Sequence, residues 1–185
     1  ERFAGAMVAY ALEMDPELLP YAAELLSDLD ALGADVALIV AAIADLELGS
    51  SSVVVDLGSG KGAVAIAVAR ELGLTVHGFE PFVMIASDAA DAAGVAGRCR
   101  FSHGEIATMA GTTGLADVAV FAALGDVLGP LDVTVGIIRQ YVRSGGHLVI
   151  NDSCRRDGAT EFFPGFEHCG TLAETDADVA SRALQ

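Results

Sequence analysis

Apolar and polar positions change their period near residue 53. Before it, Ala22, Leu25, Leu26, Leu29 and Leu32 recur at three- and four-residue spacing, which puts one apolar stripe on a helix running on from Tyr21. Asp15 and Pro16 mark a start in that region: the acid can cap free amides, and the proline ring presets φ for a first turn. Pro20 allows a second start, and Gly33 breaks or kinks the run. A further helical stretch spans Asp35 to Leu46 and ends near the turn Gly49-Ser50-Ser51-Ser52. The first fifty residues are therefore expected to be helical.

From residue 53 short β-branched runs alternate with alanine-rich helical runs, the pattern of a parallel sheet covered on both faces. The expected strands are Val53 to Leu57, Thr75 to Phe79, Arg100 to His103, Asp117 to Phe121 and His147 to Asn151. Between them lie helices near Ala63 to Leu72, Val83 to Ala93 and Asp132 to Val142, and Arg143-Ser144-Gly145-Gly146 turns into the fifth strand. The fold class is α/β, a doubly wound, mostly parallel sheet with helices on both faces and an N-terminal helical segment. No repeat or low-complexity linker interrupts it. The 185 residues are read as a single domain, 1–50 forming the N-terminal segment and 51–185 the core. After the fifth strand come a polar stretch, the segment Phe162-Phe163-Pro164-Gly165-Phe166, and a helix near Leu172 to Leu184. Such a helix normally delivers another strand, so the last strands are expected to be missing from this chain.

Composition removes several function classes. The apolar fraction is 53%, yet no stretch of about 18 residues lacks charges and turn residues, as a membrane span requires. The longest candidate, Val36 to Ala44, reads as a buried helix. No basic segment followed by an apolar one opens the chain, so neither a signal nor a transit peptide is expected, and the default location is cytoplasmic. A net charge of −16 repels phosphate backbones, so nucleic acid is not expected as a partner; a salt-adapted or GC-rich source accounts for that charge equally well. Cys99, Cys154 and Cys169 are odd in number and lack paired spacing, so they read as buried or incidental thiols, with no disulfide framework and no metal site.

The candidate chemistry lies in VVVDLGSGKGA, residues 53–63. Gly58, Gly60 and Gly62 follow a strand and precede a helix, and Lys61 among them is the only lysine in the chain. A phosphate loop of the nucleoside triphosphatase kind would need glycine in place of Val55 and serine or threonine in place of Gly62. That reading fails at both positions, and Lys61 reads as a solvent-facing loop residue. Gly58, Gly60 and Ala63 also satisfy the dinucleotide pattern, with Glu80 at about the distance of a ribose-binding acid. Asp56 argues against it, because a negative charge gains little beside a diphosphate drawn to a helix N-terminus. The same acid favours a ligand carrying an ammonium group and a positive sulfur.

VVVDLGSGKG resembles the first motif of the class I S-adenosylmethionine-dependent methyltransferases, which have a Rossmann-like sheet, and the similarity runs over about Val53 to Ser153. The resemblance implies S-adenosylmethionine as cofactor. It implies that Asp56 helps hold the methionine end, often through water, and that the loop of Gly58, Ser59, Gly60 and Gly62 lets backbone approach it. VHGFEP matches the second strand, which gives Glu80 the ribose hydroxyls and places Pro81 and Phe82 beside the adenosine. FSHGEI matches the third strand and its loop, giving Glu105 the adenine amine and Ile106 the ring. ADVAVFAALG matches the fourth strand, so Ala122, Ala123 and Leu124 should border the sulfur. YVRSGGHLVINDS matches the turn and fifth strand, with Ser144 where the family usually has proline.

Adenine- and glutamine-methylating members carry an asparagine-proline-proline-aromatic motif after the fourth strand, where this chain has Ala122-Ala123-Leu124-Gly125. LGDVLGP, FPGF and TLAET look most like members acting on small molecules, so a small-molecule acceptor is expected. Displacement at a sulfonium needs alignment and desolvation, and a general base only when the acceptor starts protonated. Asp126 and Asp152 are the candidates for facing the acceptor, with Asn151, His103 and His168 behind them; His77 and His147 read as packed or edge residues. Phe162 to Phe166 reads equally as an apolar lid or as a loop packed on the sheet. Two other classes stay open: an NAD(P)-dependent oxidoreductase, and a noncatalytic S-adenosylmethionine-binding protein.

Overall fold

The computed structural model describes residues 15–80, 83–109, 114–159 and 169–175. Asp15 caps the first turn, its carboxylate accepting from the Glu17 amide at 3.0 Å. A 3-10 turn, Pro16–Tyr21, leads into α1, Ala22–Leu25. The helix expected through Leu32 stops there. The carbonyls of Leu26, Ser27 and Leu29 instead accept from the side chain of Lys61, and Leu25 and Leu29 of the apolar stripe are exposed. The second expected helix is α2, Val36–Ala44, capped by Asp35, whose carboxylate accepts from the Leu38 amide at 3.0 Å. It buries Ile39, Val40 and Ile43 on one face, each contributing about 1.5–3 kcal/mol relative to exposure.

The alternating region follows as β1 (Val53–Leu57), α3 (Ala63–Leu72), β2 (Thr75–Phe79), α4 (Val83–Ala92), β3 (Cys99–Ser102), α5 (Ile106–Met109), β4 (Ala116–Ala122), α6 (Leu131–Ile138) and β5 (Val142–Asn151). The five strands form one sheet in the order β3-β2-β1-β4-β5, and every pairing is parallel. From β1 the chain winds outward first through β2 and β3, then through β4 and β5. This reversal at β1 and β4 opens a crevice beyond their carboxyl ends, where doubly wound sheets bind ligands.

Side chains alternate across the sheet as its two-residue period requires. Val54, Val76, Val118, Val120 and Ala122 pack on one face with α2 and α3. Val55, Leu57, Phe79, Ala119 and Phe121 pack on the other with Ile138 and Tyr141. Helix α3 lies on the sheet through Val64, Ala65, Ala67, Val68 and Ala69. Asp56 falls on the same face as Val54 and so lies under α3, 2% exposed. Tyr141, at the end of a 3-10 turn after α6, stacks obliquely on Phe79 with ring centroids 5.9 Å apart. Its hydroxyl donates to the carbonyl of Ile106.

Several boundaries move. Helix α6 gives way to the 3-10 turn Arg139–Tyr141 where a helix to Val142 was expected. Strand β5 begins at Val142, ahead of the expected turn: Ala116 pairs with Val142, and the next pairing is Val118 with His147. Residues 143–146 are thus an excursion inside the strand. Asp117 anchors it, accepting from Arg143 Nε at 2.6 Å and from the Val53 amide at 2.8 Å. These donors hold its carboxyl below the ordinary range, the Val53 amide foremost. The expected lid of Phe162 to Phe166, His168, and the part of the last helix beyond Thr175 lie outside the described residues. No helix among the described residues is long and apolar enough to cross a membrane.

Candidate functional site

The glycine loop leaves β1 and turns immediately back on β2. The amides of Gly58 and Ser59 donate to the carbonyl of Phe79 at 2.9 and 3.1 Å, and the Gly62 amide donates to the Ser59 carbonyl at 2.8 Å. The Gly60 amide donates to the Glu80 carboxylate at 2.7 Å. Gly58 has φ +74, and an added Cβ would lie 2.5 Å from Leu124 Cδ1. The loop from β1 and the loop from β4 therefore meet backbone against side chain, and a side chain at 58 would have to displace Leu124 and sit on a left-handed backbone that favours glycine.

Asp56 and Glu80 end adjacent strands and are both buried. The Asp56 carboxyl is raised from 3.8 to about 7, by burial first and by the Glu80 charge, against a lowering hydrogen bond from the Ala65 amide. Its Oδ2 and the Ser59 Oγ are buried without a hydrogen-bond partner. Buried polar atoms are normally satisfied, so this pair marks a place built for a polar ligand or water. Cys99, at the start of β3, donates its thiol to the Ala65 carbonyl at 3.6 Å, and burial and the Asp56 charge raise its pKa.

The other expected residues lie along the same carboxyl edge. Glu105 is exposed after β3, its carbonyl starting α5 by accepting from Thr108 and Met109 at 3.0 and 3.1 Å. Ile106 is half-buried and packs with the Phe79 cluster. Ala122 is buried at the end of β4, and Ala123 follows with φ +54, its amide donating to the Asn151 carbonyl at 2.8 Å. Pro81 and Phe82 lie outside the described residues. Asp126 and Asp152 are exposed, at the ends of β4 and β5. Burial first, and then the charges of Asp152, Cys154 and Asp126, push the Cys169 thiol up, so both acids face one neighbourhood. Cys154, too, is exposed, and none of the three cysteines is in a disulfide.

Lys61 is placed differently from the expectation. It is half-buried, and its ammonium donates to the carbonyls of Leu26 at 2.9 Å and Ser27 at 3.2 Å, and to that of Leu29. Its being the only lysine was the one signal in the sequence, and it did not say with what the side chain pairs. A separate concavity opens on the opposite edge of the sheet, lined by Arg70, Gly73, Thr75 and Arg98. Its cations are engaged, Arg70 with Glu71 at 2.9 Å and Arg98 with the Gly73 carbonyl.

No family model matches the chain, and no curated protein sequence does. Solved structures do. A S-adenosylmethionine-dependent methyltransferase from Thiobacillus denitrificans, in complex with S-adenosyl-L-homocysteine, is 28% identical with a TM-score of 0.61, over 74% of this chain and 56% of that one. A S-adenosylmethionine-dependent methyltransferase from Geobacter sulfurreducens, in complex with the same compound, is 24% identical with a TM-score of 0.68, over 78% and 62%. The cyclase SpnF is 19% identical with a TM-score of 0.64, over 78% and 55%. The chain thus spans less than two thirds of each of these structures. With the glycine loop, the two buried acids and the parallel strand order in place, the chain has the fold of the class I S-adenosylmethionine-dependent methyltransferases.

Proposed function

We propose that this chain binds S-adenosylmethionine at the carboxyl edge of β1 and β2 and moves its methyl group to a small-molecule acceptor. The observation that carries the reading is the buried Asp56 carboxyl with its unpartnered Oδ2, one strand from the buried Glu80. Two buried acids side by side are costly until a cation joins them. The glycine loop supports the same choice, since the amides of Gly58, Ser59, Gly60 and Gly62 already donate to protein oxygens. A diphosphate would draw on those amides, so the loop favours the NAD(P) reading less.

In this reading Asp56 takes the ammonium of the methionine end, with Ser59 beside it, while Gly58, Gly60 and Gly62 keep the loop close. Glu80 takes the ribose hydroxyls while steadying the Gly60 amide, Pro81 flanks the adenosine, Glu105 takes the adenine amine, and Ile106 packs on the ring. Ala122 borders the sulfur. Bound there, the cofactor supplies a methyl group already activated by its sulfonium. The chain's own work is to orient, exclude water and present the acceptor, and Asp126 and Asp152 face the acceptor side. A small molecule fits the absence of the asparagine-proline-proline motif after β4 and the charge of −16, which opposes polyanions.

Calorimetric titration with S-adenosylmethionine, S-adenosylhomocysteine and NAD tests the reading. Binding of the first two and not of NAD is expected; binding of NAD alone would sink it. Tight binding with no methylation across a broad panel of small acceptors would reassign the chain as a binding protein.

A further inference from the structure

Residues 26–35 cross the carboxyl edge of the sheet as a strap, held at both ends. At one end the Lys61 ammonium donates to the carbonyls of Leu26, Ser27 and Leu29. An ammonium has three donors, and three carbonyls take them, so Lys61 has none left for a ligand phosphate. At the other end the Asp35 amide donates to Asn151 Oδ1 at 3.0 Å, at the end of β5. Between the anchors, Leu32 Cδ1 lies 3.4 Å from where a Cβ on Gly60 would be, and a Cβ on Gly33 would lie 3.1 Å from that of Ala123. The strap thus touches the loops after β1 and β4 and the end of β5, across the crevice.

We propose that Lys61 is a positioning residue: its hold on the carbonyls of residues 26–29 keeps the strap against Gly60 and Ala123 as a wall of the crevice, and so slows release of the ligand bound there. The inference rests on the reading of that crevice as the S-adenosylmethionine site. Charge-assisted hydrogen bonds are the strong ones, and this one joins the loop that carries the ligand to the segment that walls it. A methionine at position 61 has similar length and no donor; an arginine keeps donors of the same charge.

The test uses the full chain and S-adenosylhomocysteine as the probe. Its dissociation rate is measured for the wild type, Lys61→Met and Lys61→Arg, with amide hydrogen exchange over residues 26–35 with and without the probe. Faster release from Lys61→Met, on the order of tenfold, is expected, with Lys61→Arg staying near the wild type. The probe should slow exchange across 26–35 in the wild type and much less in Lys61→Met. Equal release from wild type and Lys61→Met overturns the proposal, as does Lys61→Arg releasing as fast as Lys61→Met, or a strap whose exchange ignores the probe. Should Lys61→Met not fold, Asn151→Ala severs the other anchor, and unchanged release from it overturns the proposal equally. A wild type that binds no S-adenosylhomocysteine overturns the functional reading and the ligand step with it, whereas faster exchange of 26–35 in unliganded Lys61→Met still reports the hold itself.

Discussion

Glu80 reaches back across one strand to the glycine loop, its carboxylate accepting from the Gly60 amide at 2.7 Å. The acid at the end of β2 is therefore part of what shapes the loop after β1. In the proposed site it has two tasks, and a substitution removes both.

Glu80→Ala is expected to weaken S-adenosylhomocysteine binding by about 1.5–3 kcal/mol, the range for losing hydrogen bonds to a charged acceptor. Calorimetry on the variant measures it. Unchanged affinity would place the ribose elsewhere.

Asp56 predicts a pH dependence. Its folded pKa of about 7 lies above its ordinary 3.8, so between those values the folded chain keeps a proton that the unfolded chain gives up. The contribution of this group to stability is then complete below about pH 4 and is lost as pH rises toward 7. Asp56→Asn should flatten that part of a urea-midpoint profile; a profile identical to wild type would mean Asp56 is not held neutral. A cationic ligand prefers the ionised carboxylate, so affinity for S-adenosylmethionine should rise up to about pH 7, with proton release visible in buffers of different ionisation enthalpy.

Gly58→Ala meets two separate obstacles, the left-handed φ of +74 and the Leu124 side chain. The backbone strain costs about 1–3 kcal/mol. In a Leu124→Ala background the steric part should vanish while the strain remains, so denaturation midpoints around the double-mutant cycle should show favourable coupling. Strict additivity would mean Leu124 swings clear without cost.

Tyr141→Phe leaves the Ile106 carbonyl without its hydroxyl donor while keeping the ring on Phe79. A loss of about 0.5–1.5 kcal/mol is expected, the net worth of one part-buried hydrogen bond, read from urea unfolding. Because Ile106 follows Glu105, the same variant should loosen the loop assigned to the adenine, seen as faster amide exchange at 103–109.

The parts of this fold that showed in the sequence are those governed by local pattern. Val53 to Leu57 and Thr75 to Phe79 match β1 and β2 at both ends, because buried parallel strands need apolar, β-branched runs with sharp polar stops. Arg143 to Gly146 read as a turn because glycines carry no information about a strand resuming around them; the Arg143–Asp117 contact that anchors the excursion joins residues 26 positions apart. The apolar stripe from Ala22 to Leu32 overstated the helix for the same reason, since its carbonyls are claimed by Lys61 more than thirty residues away. Of the candidate site, the positions of Asp56 and Glu80 at the ends of β1 and β2 were legible in the sequence, while Leu124 over Gly58 and the hold of Lys61 on the strap depend on packing between loops.

Helix α3 rests on the sheet through Val64 and Val68 together with the methyl groups of Ala65, Ala67 and Ala69. These five side chains set its height above β1, and the Ala65 amide that meets Asp56 stands at that height. Enlarging any of these alanines would lift the helix and slacken the grip on the acid without touching a single residue of the site. The chemistry at the loop should therefore be as intolerant of a methylene in the core behind it as of a change in the loop itself.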